Sequence, residues 1–278
     1  MKRIPALVFT LALCAALPAA AQTTLTPQIS GNTVTASVQL AAGVDLDLTL
    51  TFDQVVGLNA NALTLTAGLV NPTDTTILSR FPDPTSIAIP AAFPVLVRID
   101  PSAASALTLS GVFKLTFHTH ALTLVTNSPV RLFTAHAGGP FRDITCSIDS
   151  GSIRPGGNDE AMSEFILVTD LRPTDTVIAG KFNDISNLLA TNAAAIDATV
   201  LSDLQQRLSA AKSFYSQGLI VQAINAVAGF SDQVKQQSGA NIPDVWRAGG
   251  SLVNVAGALR TAADTLKFSL TWKSNGAP

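Results

Sequence analysis

The apolar period of this chain changes once, between Asp170 and Gly180, and that change constrains the fold more than any single motif. Before it, apolar and polar residues alternate. In VDLDLTLTFD, Val44, Leu46, Leu48, Leu50 and Phe52 fall on one side, and Asp45, Asp47, Thr49, Thr51 and Asp53 on the other. NTVTASVQL repeats the pattern with Val34, Ala36, Val38 and Leu40. Successive side chains of a strand point to opposite faces, so this period describes strands with one buried and one solvated face. Further strands are expected at 63–70, 95–99, 110–120, 130–135, 144–148 and 165–168, with turn residues between them. Many short strands with few helix signals specify an antiparallel β-sandwich, Ig-like or cohesin-like in layout. The prolines of NPTD, FPDPTSIAIP and AAFPVL mark loops or edges, because proline donates nothing to a ladder.

Beyond Gly180 the period is that of helices. Leu201, Leu204, Leu208, Ala211 and Tyr215 form one stripe, closed by Gly218. Ile220, Ile224, Val227 and Val234 form a second, closed near Gly239, and Leu252, Val255, Leu259, Ala262 and Leu266 a third. A weaker helix precedes them within KFNDISNLLATNAAA; the tail LKFSLTW alternates like a strand but its conformation stays open, and it is expected to pack on the body. Short connections between such helices specify a small antiparallel bundle. The expected fold is therefore β plus α in two domains: a sandwich over 22–172, a linker over 173–180, and a helical bundle over 181–278.

The first residues, MKRIPALVFTLALCAALPAAAQ, have the three parts of a secretory signal. Lys2 and Arg3 precede an apolar run, and Ala19–Ala21 supply small residues for cleavage before Gln22. Residues 1–21 are thus read as a signal peptide and the protein as exported, to the periplasm or the medium. The run is short for a membrane span, which needs about 20 residues. Acidic residues outnumber basic ones 19 to 17, and cleavage would remove two of the basic ones. That balance argues against a nucleic-acid partner. Cleavage also removes Cys14, leaving Cys146 unable to pair within the chain, so stability must come from burial. With 47% hydrophobic and 13% charged residues, the chain has the material for a core.

LSDLQQRLSAAKSFYSQGLIVQAINAVAGFSDQVKQQSGANI resembles the small helical domain called FIMAH, found in many bacterial hydrolases. Leu204, Leu208, Ala211, Gly218, Ala223, Ile224, Phe230, Gln233, Val234 and Gly239 carry the likeness, with SLVNVAGAL as the closing helix. The chain departs from the pattern at NIPDVWRAGG, which enlarges the last connection. The resemblance implies an appendage to secreted enzymes and surface proteins that brings no catalytic residues of its own. The N-terminal half looks like a secreted bacterial family of unknown function, through FDQVVGLNANALTLTAGLVNP, LTFHTHALTL and SPVRLFTAHAGGPFRDIT.

Candidate sites are few. His118 and His120 lie two apart and share a strand face, so with His136 they could ligate zinc. The alternation puts that face, with Lys114, in solvent, and solvated histidines are the preferred reading. Asp45, Asp47 and Asp53 are spread along an extended face, about 6–7 Å from i to i+2, which suits no calcium loop. Asp159, Glu160 and Glu164 of GGNDEAMSE are a better cation candidate, weighed against a plain solvated acidic loop. Cys146 shares a face with Ile144 and Ile148 and reads as a buried thiol. AGGPFRD reads as a rigid turn in which Arg142 and Asp143 form a structural ion pair or touch a partner.

GxSxG, HExxH, a phosphate loop and a dinucleotide fingerprint are all missing. One Tyr and two Trp make a poor sugar platform. The sequence thus favours a non-catalytic binding, adhesion or scaffolding protein that needs no cofactor, its partner an unidentified protein or envelope ligand. The alternatives are a secreted hydrolase whose carboxylates converge only in the fold, and an accessory or inhibitor subunit of a secreted enzyme.

Overall fold

A computed structural model describes residues 22–102, 105–123, 127–136, 138–149, 154–249 and 252–276. The expected signal segment, 1–21, and Ala137 of the AGGPFRD turn lie outside the described residues. The first eight strands are Gln22–Leu25 (β1), Gln28–Ser30 (β2), Thr33–Ala41 (β3), Val44–Val56 (β4), Leu63–Leu69 (β5), Ile87–Ala88 (β6), Val95–Pro101 (β7) and Thr108–His118 (β8). Val130–Ala135 (β9), Arg142–Asp143 (β10), Thr145–Asp149 (β11), Arg154–Asp159 (β12), Glu164–Asp170 (β13) and Val245–Arg247 (β14) follow. The α-helices are Thr75–Leu78 (α1), Thr174–Thr191 (α2), Ala198–Ser216 (α3), Ile220–Gln237 (α4) and Val255–Ser274 (α5).

The strands form two antiparallel sheets of seven. One runs β1-β5-β7-β13-β9-β10 with β6 on β13, the other β11-β12-β8-β4-β3-β2 with β14 on β8. The alternation of β4 sets the register of the second sheet. Leu50 lies opposite Val34 on β3 and Leu115 on β8, so the apolar sides of three strands coincide. A slip of one residue would turn all of them to solvent. These side chains meet Leu65, Val97, Ile99, Phe165 and Leu167 of the other sheet in one core. Phe113 and Phe165 touch edge to face across it, with centroids 6.2 Å apart.

One expectation fails in the first sheet. All six residues of β9 are buried, as are Glu164–Val168 of β13, so these strands have no solvated face. The proline-rich segment after β5 covers the outer side, where Phe81, Ile87 and Ile89 pack on Phe133, Phe141 and Ile166 in a satellite core. The prolines were correctly placed in a loop, but the loop is a lid on the sheet.

Helices α2 to α5 share a core built from Ile178, Phe182, Leu204, Leu208, Val227, Phe230, Leu259 and Leu266. Gly218 and Gly239, at φ +76° and +77°, follow α3 and α4 in the left-handed region that glycine tolerates. The expected linker at 173–180 is corrected: α2 begins at Thr174, directly after Pro173, whose fixed φ suits a helix start. The tail, which the sequence left open, is helical. Leu266, Phe268, Leu270 and Trp272 continue α5, and only Leu266 and Leu270 of these are buried, four apart as one helical stripe requires.

Sheets and helices are joined closely. The NIPDVWRAGG stretch supplies β14, which pairs with Thr108–Ser110 along the same edge of β8 that β12 occupies at Phe113–Thr116. Asn254 caps α5: its Oδ1 accepts from Gly257 N at 2.7 Å while its Nδ2 donates to Gly111 O at 2.5 Å. Gly111 has φ +79°, and a Cβ there would come within 2.7 Å of Asp53 Oδ2, so the site requires glycine. Arg260 to Asp53 and Asn158 to Asp264, each at 2.7 Å, add two further links.

Candidate functional site

The outer edge of the first sheet and one side of α2, from Thr176 to Thr191, enclose a cleft of about 630 Å3 that Ala258, Ala262 and Thr265 of α5 also line. Its sheet wall carries His136, Phe141, Arg142, Asp143 and Glu160, and its helix wall Thr176, Val177, Gly180, Lys181, Asp184 and Leu188. The volume lies in the range of small-molecule sites, about 300–1,000 Å3.

AGGPFRD positions the sheet wall. Gly138 has φ +74°, and Gly139 N donates back to His136 O at 2.6 Å, which reverses the chain after β9. Phe141 stacks on Phe81, centroids 5.0 Å apart, and Arg80 lies over its ring at 4.2 Å. The next two residues form β10 against Phe133 and Thr134. They do not pair with each other. Arg142 Nη2 donates to Asp159 Oδ1 at 2.8 Å and to Glu160 Oε1 and Oε2 at 2.8 and 2.9 Å. Asp143 turns the other way and receives Lys181 Nζ at 2.5 Å.

The expectation of a solvated acidic loop also falls. Asp159 is fully buried, Glu160 has 13% of its side chain exposed, and Glu164 accepts from Arg98 at 2.8 Å and from Arg80. Carboxylates enter an interior only with compensation, and arginines distant in sequence supply it here. Burial, then the neighbouring Glu160 charge, pushes the Asp159 carboxyl well above the usual range. Burial acts on Glu160 in the same direction, but the Arg142 guanidinium, the hydrogen bond with Asp159 and His136 together hold that carboxyl below its ordinary value. The shared Arg142 thus favours the charged form of Glu160, while burial beside that charge favours the neutral form of Asp159. Asp159 Oδ2 has no hydrogen-bond partner among the described residues.

Lys181 has four acceptors around its three N–H donors, since Thr265 O, Thr265 Oγ1 and Ser269 Oγ also lie 3.1, 2.7 and 2.8 Å from its ammonium. Burial lowers its pKa more than Asp143 restores it. Asp143 is held below the ordinary value because Lys181 and Arg131 overcome its burial. Arg172, at the cleft edge, is held by both oxygens of Asp170. Asp184 is different: it is an exposed residue that no hydrogen bond or ion pair reaches among the described residues, and partial burial of its carboxyl raises its pKa more than the charges of Lys181, Arg142 and Arg172 lower it. Arg131 lies outside this cleft, stacked on Trp272 at 4.4 Å, beside a smaller hollow of about 350 Å3.

The histidines do not converge. His118 Nδ1 lies 3.0 Å from Asp47 Oδ2 and His120 Nδ1 2.7 Å from Asp45 Oδ2, with the two rings 4.8 Å apart on the second sheet. His136 sits at the end of β9 in the first sheet, with Nδ1 2.9 Å from Ser163 Oγ and Nε2 3.9 Å from Glu160 Oε1. Among the described residues no three histidine, cysteine or acidic side chains gather as a metal site. Cys146 is half-buried, and burial pushes its thiol up to about 11.

Of the residues singled out in sequence, the fold thus gathers His136, Arg142, Asp143, Asp159 and Glu160 at one wall and leaves His118 and His120 elsewhere. Lys181, Asp184 and Arg172 were missed. Lys181 did carry a signal: it falls three after Ile178 and four before Ile185, on the buried stripe of α2. A lysine there needs a buried partner.

The fold and this cleft define a mixed β and α protein with a charged pocket between sheet and helices. The chain belongs to the Family of unknown function (DUF6689), whose model matches residues 8–274. No curated protein and no solved structure matches it. Among the described residues no helix is long and apolar enough to cross a membrane.

Proposed function

We propose that this protein is an exported, non-catalytic binding protein whose ligand occupies the cleft between β10 and α2. The reading treats 22–172 as an Ig-like or cohesin-like β-sandwich and 181–278 as a FIMAH-like helical domain packed on it. The signal-like residues 1–21 motivate export. The observation that carries the binding role is the state of the cleft's charges. Arg142, Lys181 and Arg172 are each neutralised by a carboxylate of the fold, and no serine or cysteine lines the wall among the described residues. A cleft of this size, with apolar walls and its cations already paired, is suited to hold a molecule.

Gly180 provides the test. It faces the cleft, and a Cβ built on it meets nothing within 4 Å, so Gly180→Phe blocks the space without disturbing the core. Native mass spectrometry of the full chain exposed to a bacterial culture extract is expected to show a small-molecule adduct that Gly180→Phe loses. An adduct that persists unchanged in the variant would refute the assignment.

A second reading, a hydrolase, draws on Glu160 and Asp184, which both line the cleft with carboxyl pKa values displaced in opposite directions. Such a split is how acid and base roles divide between two carboxyl groups. Turnover of chromogenic glycosides or esters that disappears in both Glu160→Gln and Asp184→Asn would favour this reading over the first.

A further inference from the structure

We infer that the ligand of this cleft is an amine: a molecule with an apolar body and one cationic nitrogen that docks on Asp184. The inference rests on the cleft being a binding site and goes further by assigning the chemistry of its occupant. The charges of the lining carry it. Arg142 is matched by Glu160, which takes two of its hydrogen bonds, and Asp159 behind them accepts a third. Lys181 is matched by Asp143 at 2.5 Å, and Arg172 by Asp170 at 2.7 Å. Three cations are thus balanced by three anions within the fold. Asp184 remains, an exposed carboxylate on the helix wall that Lys181, Arg142 and Arg172 attract from a distance, with no partner at hydrogen-bond distance among the described residues.

The walls around it decide the rest of the ligand. Val177, Leu188, Ala258 and Ala262 are apolar, so a small polar cation such as ammonium or guanidinium alone would leave them facing water. An anionic ligand meets the opposite difficulty. To reach Arg142 or Lys181 it must displace a carboxylate that the fold already holds, and it gains nothing from Asp184. An amine supplies the donor that Asp184 lacks, while its hydrocarbon part covers the apolar wall. Asn187 and Thr176 stand beside it as neutral hydrogen-bonding groups.

The test uses the full chain and three probes of equal size: phenethylamine, phenethyl alcohol and phenylacetate, with binding read from NMR line shifts of the protein. Phenethylamine is expected to bind about tenfold more tightly than either analogue, the worth of one hydrogen bond to a charged group. Asp184→Asn is expected to erase that preference, and raised salt to weaken it. Gly180→Phe is expected to abolish binding of all three. If the alcohol or the acid binds as tightly as the amine, or Asp184→Asn leaves the preference intact, the amine assignment is overturned while the cleft remains a site. If no probe shifts cleft residues, or all of them bind Gly180→Phe equally well, both readings are overturned.

Discussion

Lys181 Nζ lies 2.5 Å from Asp143 Oδ2, joining the second turn of α2 to a strand of two residues. Both side chains are at least nine-tenths buried. This pair fixes the width of the cleft, because its two partners stand on opposite walls.

Breaking the pair from one side strands a charge in the interior. Lys181→Met is expected to cost about 3–5 kcal/mol in urea denaturation, since Asp143 is left buried without a cation. Adding Asp143→Asn to that variant is expected to recover part of the loss, because neither charge is then isolated. An unchanged denaturation midpoint in the single variant would show that the pair does not tie helix to sheet.

Asp159 has the opposite linkage. Its folded pKa is raised, so its contribution is full below the unfolded value of 3.8 and is lost as pH rises through the folded pKa. Asp159→Asn, which keeps the neutral shape, is therefore expected to equal or exceed the wild type in melting temperature at pH 7. That advantage is expected to shrink on acidification. Asp143 and Glu160, with depressed values, act in the other sense: their contribution is present above their unfolded pKa values and disappears as pH falls through the folded ones. The wild type is accordingly expected to gain stability as pH falls through the Asp159 pKa and to lose it in stronger acid. A pH series of melting curves on the two proteins reads both effects.

The Cys146 thiol, pushed up to about 11 by burial, is almost wholly protonated at neutral pH. Labelling by iodoacetamide at pH 7.5 is expected to be slow in the native protein and fast in denaturant, with mass spectrometry counting the adducts. Rapid native labelling would mean that the thiol is activated rather than inert.

Export is tested at the N-terminus. Cleavage after Ala21 would leave β1 whole, since Gln22 already pairs with Gly68 of β5. Cell fractionation with N-terminal mass spectrometry is expected to find a chain beginning at Gln22 outside the cytoplasm. A cytoplasmic protein retaining Met1 would rule the signal reading out.

Much of the fold was legible because burial writes a period into the chain. The alternation from Val44 to Phe52 gave β4 its inward face, and the stripe of Leu204, Leu208 and Ala211 gave α3 its own. The helix-closing roles of Gly218 and Gly239 were equally local, a matter of one backbone angle. Errors arose where a distant segment supplied the burial. β13 lost its solvated face to the segment around Phe81, and the early turns of α2 read as a linker because their partners are distant: Asp175 pairs with Lys273 of α5 and Tyr215 of α3.

The candidate site divides along the same boundary. By itself the sequence marked AGGPFRD as a rigid turn and Asp159 and Glu160 as neighbours, since adjacency and backbone preference are local properties. It also determined the single change of period that separates strands from helices. Only the tertiary structure decided that Arg142 meets Asp159 and Glu160, that Asp143 meets Lys181, and that Asp184 faces the same space unpaired. Ion pairing depends on distance in space, and these partners lie 17, 18 and 38 residues apart along the chain. No local pattern encodes such separations, so the cleft exists only once the sheets and helices have packed.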